Sequence, residues 1–464
     1  MFNKILKGSA LILAVCLLFG VLSGCVSTTI GGADEKTSIL VDDKPHEKET
    51  DDPVTVIDPE SARNELELCA LVKANSPESY GFNESGKWMD IRKEYPVDDA
   101  FLEAMRDFSK KTSAAIENNG ENIIYSPMSL YFALAMVTSG TSGEAEDELT
   151  ALLGVEKDDL AAQCEALYRI IYDDNEIGKT KIANSVWLDR NKGVKIKDEW
   201  LKTVSEGFFA PVYNVDLADK ATGDLIGAWI HDNTGGMLSY DFEPDPMQVM
   251  ALINNVYLTD EWTDLFNEEQ TQPDLFTNRD GSTFECDFMN KDDLGSFYKT
   301  ENYSMCSLGL KNGGSVTFIL PAEGIDPQTM LYDESVYDRI FGWDKNDTAR
   351  GYGRITWKVP KFSCQSKFNF TDTLRSLGVN AIFDRTDAMT DITDDELFVS
   401  KVIQKAKVSV NEKGIEAAAY TEISYCGSAV PTDTCEMILD RPFAYVVTTD
   451  YNVPIFVGVV NEIE

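Results

Sequence analysis

Histidine is nearly absent from this chain. Its 464 residues include two, His46 and His231. A Ser-His-Asp or Cys-His enzyme would have to use one of them, and a histidine-based zinc site is nearly excluded. His46 falls in an acidic, polar stretch. His231 lies in "WIHDNTGG" with no nucleophile motif beside it, so it reads as structural or surface. Basic residues are also few: 41 Lys and Arg stand against 79 Asp and Glu, for a net charge of −38. That balance argues against binding nucleic acid or an anionic membrane through a basic patch. It reads as a solvated acidic surface, with a basic partner as the alternative. The nine cysteines include no CxxC pair and no metal-ligand spacing. The glycine turns "GKWMD", "KNGGS" and "GYGR" lack the strand–loop–helix setting of a phosphate loop. "DRTDAMTDITDDEL", residues 384–397, lacks the ligand spacing and glycine of a calcium loop and reads as solvated. No metal or cofactor is expected.

What is present suffices for a large core, with 43% hydrophobic and 10% aromatic residues. The long apolar run is N-terminal. Lys4 and Lys7 precede "ALILAVCLLFGVL", which ends in "LSGC" at residues 22–25. It is short for a membrane span and carries small residues before a cleavage point. It resembles a bacterial lipoprotein signal, in which residues 1–24 are removed and Cys25 is lipidated. An ordinary secretory signal with a chance cysteine is the alternative. The expected location is outside the cytoplasm, held to the outer face of the cell membrane only through the lipid, or extracellular if the anchor is shed.

Residues 25–60 are rich in Thr, Asp, Glu, Gly and Pro and read as a disordered acidic tether. Residues 61–94 read as an extension, partly helical. From 95 to 464 the chain is continuously globular, with no internal repeat. "DDAFLEAMRDFSKKTSAAI" has helical spacing. In "YSPMSLYFALAMV", Ser126 can cap a helix and Pro127 can take its first position. That helix is apolar all round and so predicts burial. "TKIANSVWLD", "VMALINNVYL", "SVTFILP", "RITWKVPKF", "PFAYVV" and "PIFVGVVN" read as buried strands. Helices come early and strands late, which predicts an α+β fold around large sheets.

Several segments together resemble one family, the serpins. They are "NIIYSPMSLYFALAMVTSGTSGEAEDEL", "IANSVWLD", "APVYNVDL", "IGAWIHDNTGGM", "LINNVYLTDEWTDLFNEEQTQPDLF", "VPKFSCQSKFNFTDTLRSLGVNAIFD", "NEKGIEAAA" and "DRPFAYVVTTDYNVPIFVGVVN". The last two look like the reactive-loop hinge and the C-terminal signature. The resemblance implies three β-sheets, eight to nine helices and an exposed reactive-centre loop, here about 412–438. It implies a monomeric suicide-substrate inhibitor of serine endopeptidases: the protease cuts the loop, is trapped as an acyl-enzyme, and the hinge side inserts into the main sheet. Loop insertion of this kind is a known mode of strand addition and stored-strain release. A serpin-like binding or structural protein, cleaved without trapping, is the alternative.

The residues can be tested against insertion. A strand alternates its faces with period two. From Ile415 the inward set is Ile415, Ala417, Ala419, Thr421 and Ile423; the outward set is Glu416, Ala418, Tyr420, Glu422 and Ser424. Small inward residues avoid overpacking, which costs roughly 1–3 kcal/mol per misfit. Gly414 supplies hinge freedom, after Glu412 and Lys413. A short helix fits as well: alanine is the best helix former, and Ile415, Ala418, Ala419 and Glu422 share a helical face. Counting as the family does, the seventeenth residue from Glu412 is Ser428, so the scissile bond is Ser428–Ala429, with Gly427 and Val430 as neighbours. Small residues around it suit a protease with a shallow primary pocket, elastase-like or subtilisin-like.

Ile415 departs from the family's Thr or Ser and predicts slow insertion, unless its pocket is roomier. Gln404 stands where many animal serpins place histidine, beside Ser126, Ser129 and Asn254, the family's shutter. Trp262, Lys361 and Glu412 match its breach, where an exposed-to-intermediate Lys361–Glu412 pair is expected to contribute no more than about 1 kcal/mol. A Cys426–Cys435 disulfide would tie together the two sides of the scissile bond and prevent trapping; two unpaired thiols are the alternative.

Overall fold

A computed structural model describes residues 11–16, 38–40, 59–117, 119–238, 244–342, 346–415 and 433–463. Strands β1 (Leu11–Cys16) and β2 (Ser38–Leu40) precede α1 (Pro59–Cys69), β3 (Ala70–Val72) and α2 (Ser85–Glu94). A largely helical half follows, with α3 (Asp99–Ala115), β4 (Ile123–Tyr125), α4 (Pro127–Thr138), α5 (Glu144–Leu153) and α6 (Lys157–Ile171). It continues through β5 (Asp173–Asp174), β6 (Lys179–Asp189), α7 (Asp198–Gly207), β7 (Val212–Val215) and α8 (Lys220–Asn233). Strands then dominate: β8 (Gln248–Glu261), β9 (Gln272–Thr277), β10 (Thr283–Lys299), β11 (Tyr303–Gly309) and β12 (Ser315–Pro321). The chain closes with α9 (Glu334–Phe341), β13 (Arg350–Pro360), β14 (Phe362–Asn369), α10 (Thr371–Ser376), α11 (Ala381–Asp384), β15 (Leu397–Asn411), β16 (Gly414–Ile415), β17 (Asp433–Ile438), β18 (Phe443–Thr448) and β19 (Pro454–Val460). This is the α+β arrangement expected, helices early and strands late.

The strands form two hydrogen-bonded networks. The first runs β2-β14-β15-β1-β8-β6-β7-β3, with β16 pairing both β15 and β8. The second runs β17-β13-β10-β11-β12-β18-β19-β4, with β9 on β10. Strand β10 pairs with β9 near its start, with β11 near its end and with β13 between. One long strand thus serves two halves of a curled sheet, so the three expected sheets are joined as two networks. Among the described residues no helix is long and apolar enough to cross a membrane.

Helix α4 is the spine of the core. Its residues are all buried, as an all-round apolar helix requires. Ser126 Oγ accepts from the Ser129 N–H at 3.1 Å, and Pro127 follows the cap. The extension also docks on the body. β3 adds to the edge of β7, and Leu66, Cys69 and Ala70 pack beside Trp187, Tyr213 and Trp229. Arg63 pairs with Asp232 of α8 at 3.0 Å. β2 adds to the outer edge of β14.

The centre of the first sheet positions the site. β8 and β15 do not pair directly; one strand's width lies between them. In the full chain β1 takes up that width, parallel to both neighbours. Above it, β16 pairs antiparallel with both: Ile415 with Val410 and Asp260, Gly414 with Asn411 and Glu261. The turn from β15 into β16 is tight because Asn411 Oδ1 accepts from the N–H groups of Lys413 (2.9 Å) and Gly414 (3.3 Å), an Asx turn. Gly414 has φ of 156°, and a Cβ there would sit 2.0 Å from the Asp260 carbonyl oxygen. Only glycine fits so close to another backbone. Gly414→Ala is therefore expected to break β16 pairing and speed limited proteolysis at residues 412–416 at least severalfold. An unchanged digestion rate would contradict this.

Candidate functional site: the hinge and the centre of the first sheet

Three clusters surround the central slot. At its top, Trp262 is fully buried. Its indole N–H donates to the Asn411 carbonyl at 2.9 Å, and its backbone N–H to the Lys413 carbonyl at 2.8 Å. Phe266 N–H donates to the Glu412 carbonyl at 3.0 Å. Lys361 Nζ lies 3.5 Å from Glu412 Oε2, and Thr271 Oγ1 donates to Glu412 Oε1 at 2.7 Å. The sequence places this pair near the surface; the structure corrects that. The two side chains are only 11% and 9% exposed, because Trp262, Phe266 and Thr271 close over the turn. They sit at the mouth of a polar cleft of about 400 Å³ lined also by Glu268 and Asp287. A buried pair is costly to split, since the remaining charge stays out of water.

Midway down, the Gln404 amide grips the backbone of Ser126 with two bonds. Its oxygen accepts from the Ser126 N–H at 2.8 Å and its nitrogen donates to the Ser126 carbonyl at 2.9 Å. Ser129 Oγ donates to Asn254 Oδ1, Asn254 Nδ2 to Asn184 Oδ1, and Asn184 Nδ2 to the Phe208 carbonyl at 2.7 Å. All five side chains are buried. Glutamine thus does what a network here demands: it both donates and accepts. Asn184 was not singled out in the sequence. It is the cross-strand partner of Asn254, which alternation alone cannot reveal without knowing that β6 and β8 pair.

Ile415 sits in the main core at 1% exposure. Its inward site is already built and filled, so the size of its side chain meets no crowded pocket. Glu416, Ala417, Ala418 and Ala419, the Gly427–Ser428–Ala429–Val430 stretch, Cys426 and Cys25 lie outside the described residues. Cys435 is buried in β17, and its Sγ lies 3.7 Å from that of Cys306 on β11. His231 is exposed at the end of α8. In the acidic loop Arg375 pairs with Asp384, Arg385 with Asp387, Lys157 with Asp391 and Lys197 with Asp394.

Beside the hinge lies an acidic group that composition conceals. Asp260 pairs in register with Ile415, and burial raises its carboxyl to about 7. The backbone N–H groups of Asn312 and Glu261 pull the other way, as does Lys311, while the Glu261 charge adds to the rise. Asp173 is pushed up to about 8 by burial, then by the charges of Asp260 and Asp450, with Arg92 opposing. Asp450 is raised by burial too, against its ion pair with Arg92. Asp173, Asp450, Arg92 and Lys311 line a cleft of about 290 Å³ under α2.

The fold is an α+β one whose main sheet seats β1 and, above it, the two-residue strand β16 between β8 and β15. Residues 103–463 match the family model described as serpin (serine protease inhibitor). Serpin I2 of Homo sapiens is 27% identical over 339 residues, 70% of this chain and 82% of its own. Neuroserpin of Homo sapiens is 28% identical over 371 residues, 74% of this chain and 87% of its own. The native-state structure of the thermophilic serpin tengpin superposes with a TM-score of 0.71 at 25% identity, covering 85% of this chain and 99% of its own. The chain belongs to the serpin family, a family in general of protease inhibitors rather than enzymes.

Lys361→Met leaves Glu412 buried and unpaired. It is expected to cost roughly 3–5 kcal/mol, read as a lower urea midpoint; a loss below 1 kcal/mol would restore the surface-pair reading. The raised carboxyls set a pH dependence. The folded chain keeps protons on Asp260 and Asp173 up to about pH 7–8, while the unfolded chain releases them near pH 4. The folded state then binds more protons, so stability falls as pH rises from about 4 to 7–8, by at most about 1.4 kcal/mol per unit for each carboxyl. Asp260→Asn should flatten the fall of melting temperature between pH 5 and 7. An unaltered slope would remove Asp260 from the account.

Proposed function

We propose that this serpin is a suicide-substrate inhibitor of serine endopeptidases with a shallow primary pocket. The observation that carries the reading is β16: Gly414 and Ile415 already pair with both β8 and β15. They begin the strand that Glu416, Ala417, Ala418 and Ala419 continue in sequence, with small residues inward. In this reading the serine of the protease attacks the Ser428 carbonyl carbon and the Ala429 amine leaves. The protease is left as an ester on Ser428. The freed hinge side then runs down between β8 and β15, gaining backbone hydrogen bonds on both edges, and drags the protease away from its working geometry. The nucleophile is the protease's; this chain contributes the carbonyl and the refolding energy.

We read the working form as the chain processed at Cys25, exported and lipid-anchored to the outer face of the cell membrane. That form lacks β1, so the slot is vacant for the loop. Membrane contact is then through lipid alone, and the protein acts as a monomer. A fold of this kind is also carried by thyroxine-binding globulin, whose structure with thyroxine has a TM-score of 0.66 at 21% identity, so the hinge and not the fold supports inhibition.

The test is to mix the protein with an elastase-like protease and run a denaturing gel. A stable covalent complex and a higher melting temperature after cleavage are expected. Complete loop cleavage with no complex would defeat the inhibitor reading in favour of a binding or structural serpin.

A further inference from the structure

Two cysteines far apart in sequence meet inside the curl of the second sheet. Cys435 lies on β17, in parallel register with Ile355 of β13. Cys306 lies on β11, opposite Phe297 of β10. In strand order β13 and β10 separate β17 from β11. The curl of these two long strands brings β17 back over β11, and the sulfurs come within 3.7 Å across 129 residues of sequence. Both side chains are buried, at 1% and 2% exposure. Of the other free thiols described, Cys164, Cys286 and Cys364 are buried and Cys69 is partly buried.

We propose that Cys306 and Cys435 form a redox-controlled disulfide that fastens the strand following the reactive loop to the body of the protein. The atoms need move little: sulfurs in contact must close to bonding distance, roughly 2 Å. The oxidant is a disulfide, either a small molecule or an oxidoreductase. One protein thiolate attacks it, forms a mixed disulfide and expels a thiolate. The second cysteine then attacks the protein-side sulfur and expels the other. Two protein thiols are oxidised by two electrons, the oxidant is reduced to two thiols, and their protons come from the cysteines. Cys435 is the better first attacker, since the hydrogen bond from Cys306 favours its thiolate against the opposing effect of burial, with Lys299 adding to the first. Because both sulfurs are buried, the bond forms during folding or through local opening.

The consequence for the loop rests on the reading under Proposed function. Uncleaved, residues 416–432 are tied at both ends, to Ile415 in β16 and Asp433 in β17. A strand advances about 3.3 Å per residue. Carrying the loop into the slot as far as Ser428 leaves residues 429–432, which span at most about 14 Å, for the return to Asp433. The descent is roughly three times as long, so β17 must leave β13. A bond from Cys435 to Cys306 forbids that. Cleavage at Ser428 removes the need, so trapping proceeds with the bond in place. The disulfide would thus block insertion of the intact loop and leave insertion of the cut loop untouched.

The test is to refold the chain without residues 1–24, the form whose slot β1 does not fill, in glutathione buffers of rising oxidised fraction, block free thiols and map disulfides by mass spectrometry. A Cys306–Cys435 peptide pair is expected, lost in Cys306→Ala and retained in Cys426→Ser, with a melting temperature higher by roughly 5 °C. Finding both thiols alkylated under oxidation, or Cys435 joined to Cys426, overturns the site. Heating the uncleaved oxidised and reduced chains then reads the consequence: burial of the intact loop, followed by loss of loop cleavage, should slow at least tenfold on oxidation. Equal rates overturn the lock. If the bond maps as expected but neither chain ever buries its loop, cut or intact, it is the inhibitor reading that falls, and the modification site stands.

Discussion

The arrangement depends on one constraint: two long strands, β8 and β15, held one strand apart. Adjacent strands sit about 4.8 Å apart, so their separation is roughly twice that, and the row of backbone donors and acceptors that each turns inward is met by β1. Left unpaired, edges of that kind are a liability in most sheets. Here the turn at Asn411–Gly414 closes the top with the first two residues of a new strand. The Gln404 amide pins β15 to the head of α4 midway down, while Asn254 ties β8 to the same helix through Ser129. The core helix thereby holds both sides of the gap at a set width.

The polar groups of the site follow from that geometry. A slot wall made only of apolar side chains would set no register between strand and helix. Buried amides and hydroxyls do, because each unmet hydrogen bond costs about 1–3 kcal/mol. The Lys361–Glu412 pair acts likewise at the top. Its burial makes it sensitive to removal of either partner. Asp260 brings a carboxyl to the same place, where protonation eases the cost of burial.

Much of the fold was legible in order and type. Ser126 and Pro127 announced α4, its all-round apolarity announced burial, and the late apolar runs announced the strands. Gly414 was legible as a turn position because a glycine has a direct backbone meaning; the alternation that follows Ile415 lies outside the described residues. Three things were not. The burial of Lys361 and Glu412 depends on Trp262, Phe266 and Thr271 folding over them. Asn184 gains meaning only as the partner of Asn254. The thiol of Cys435 had an apparent partner nine residues away in Cys426, whereas its spatial neighbour, Cys306, is 129 residues away.

By itself the sequence determined the local instructions: which segments coil, which extend, where the chain turns sharply, and that few residues could serve acid–base or metal chemistry. Those follow from propensities and side-chain chemistry within a few residues. Tertiary structure alone decided which exposed-looking charges are buried, which amides face one another, and which sulfurs meet. These are properties of distance in space, and the curl of one sheet and the strand order of the other set those distances between residues the chain keeps far apart.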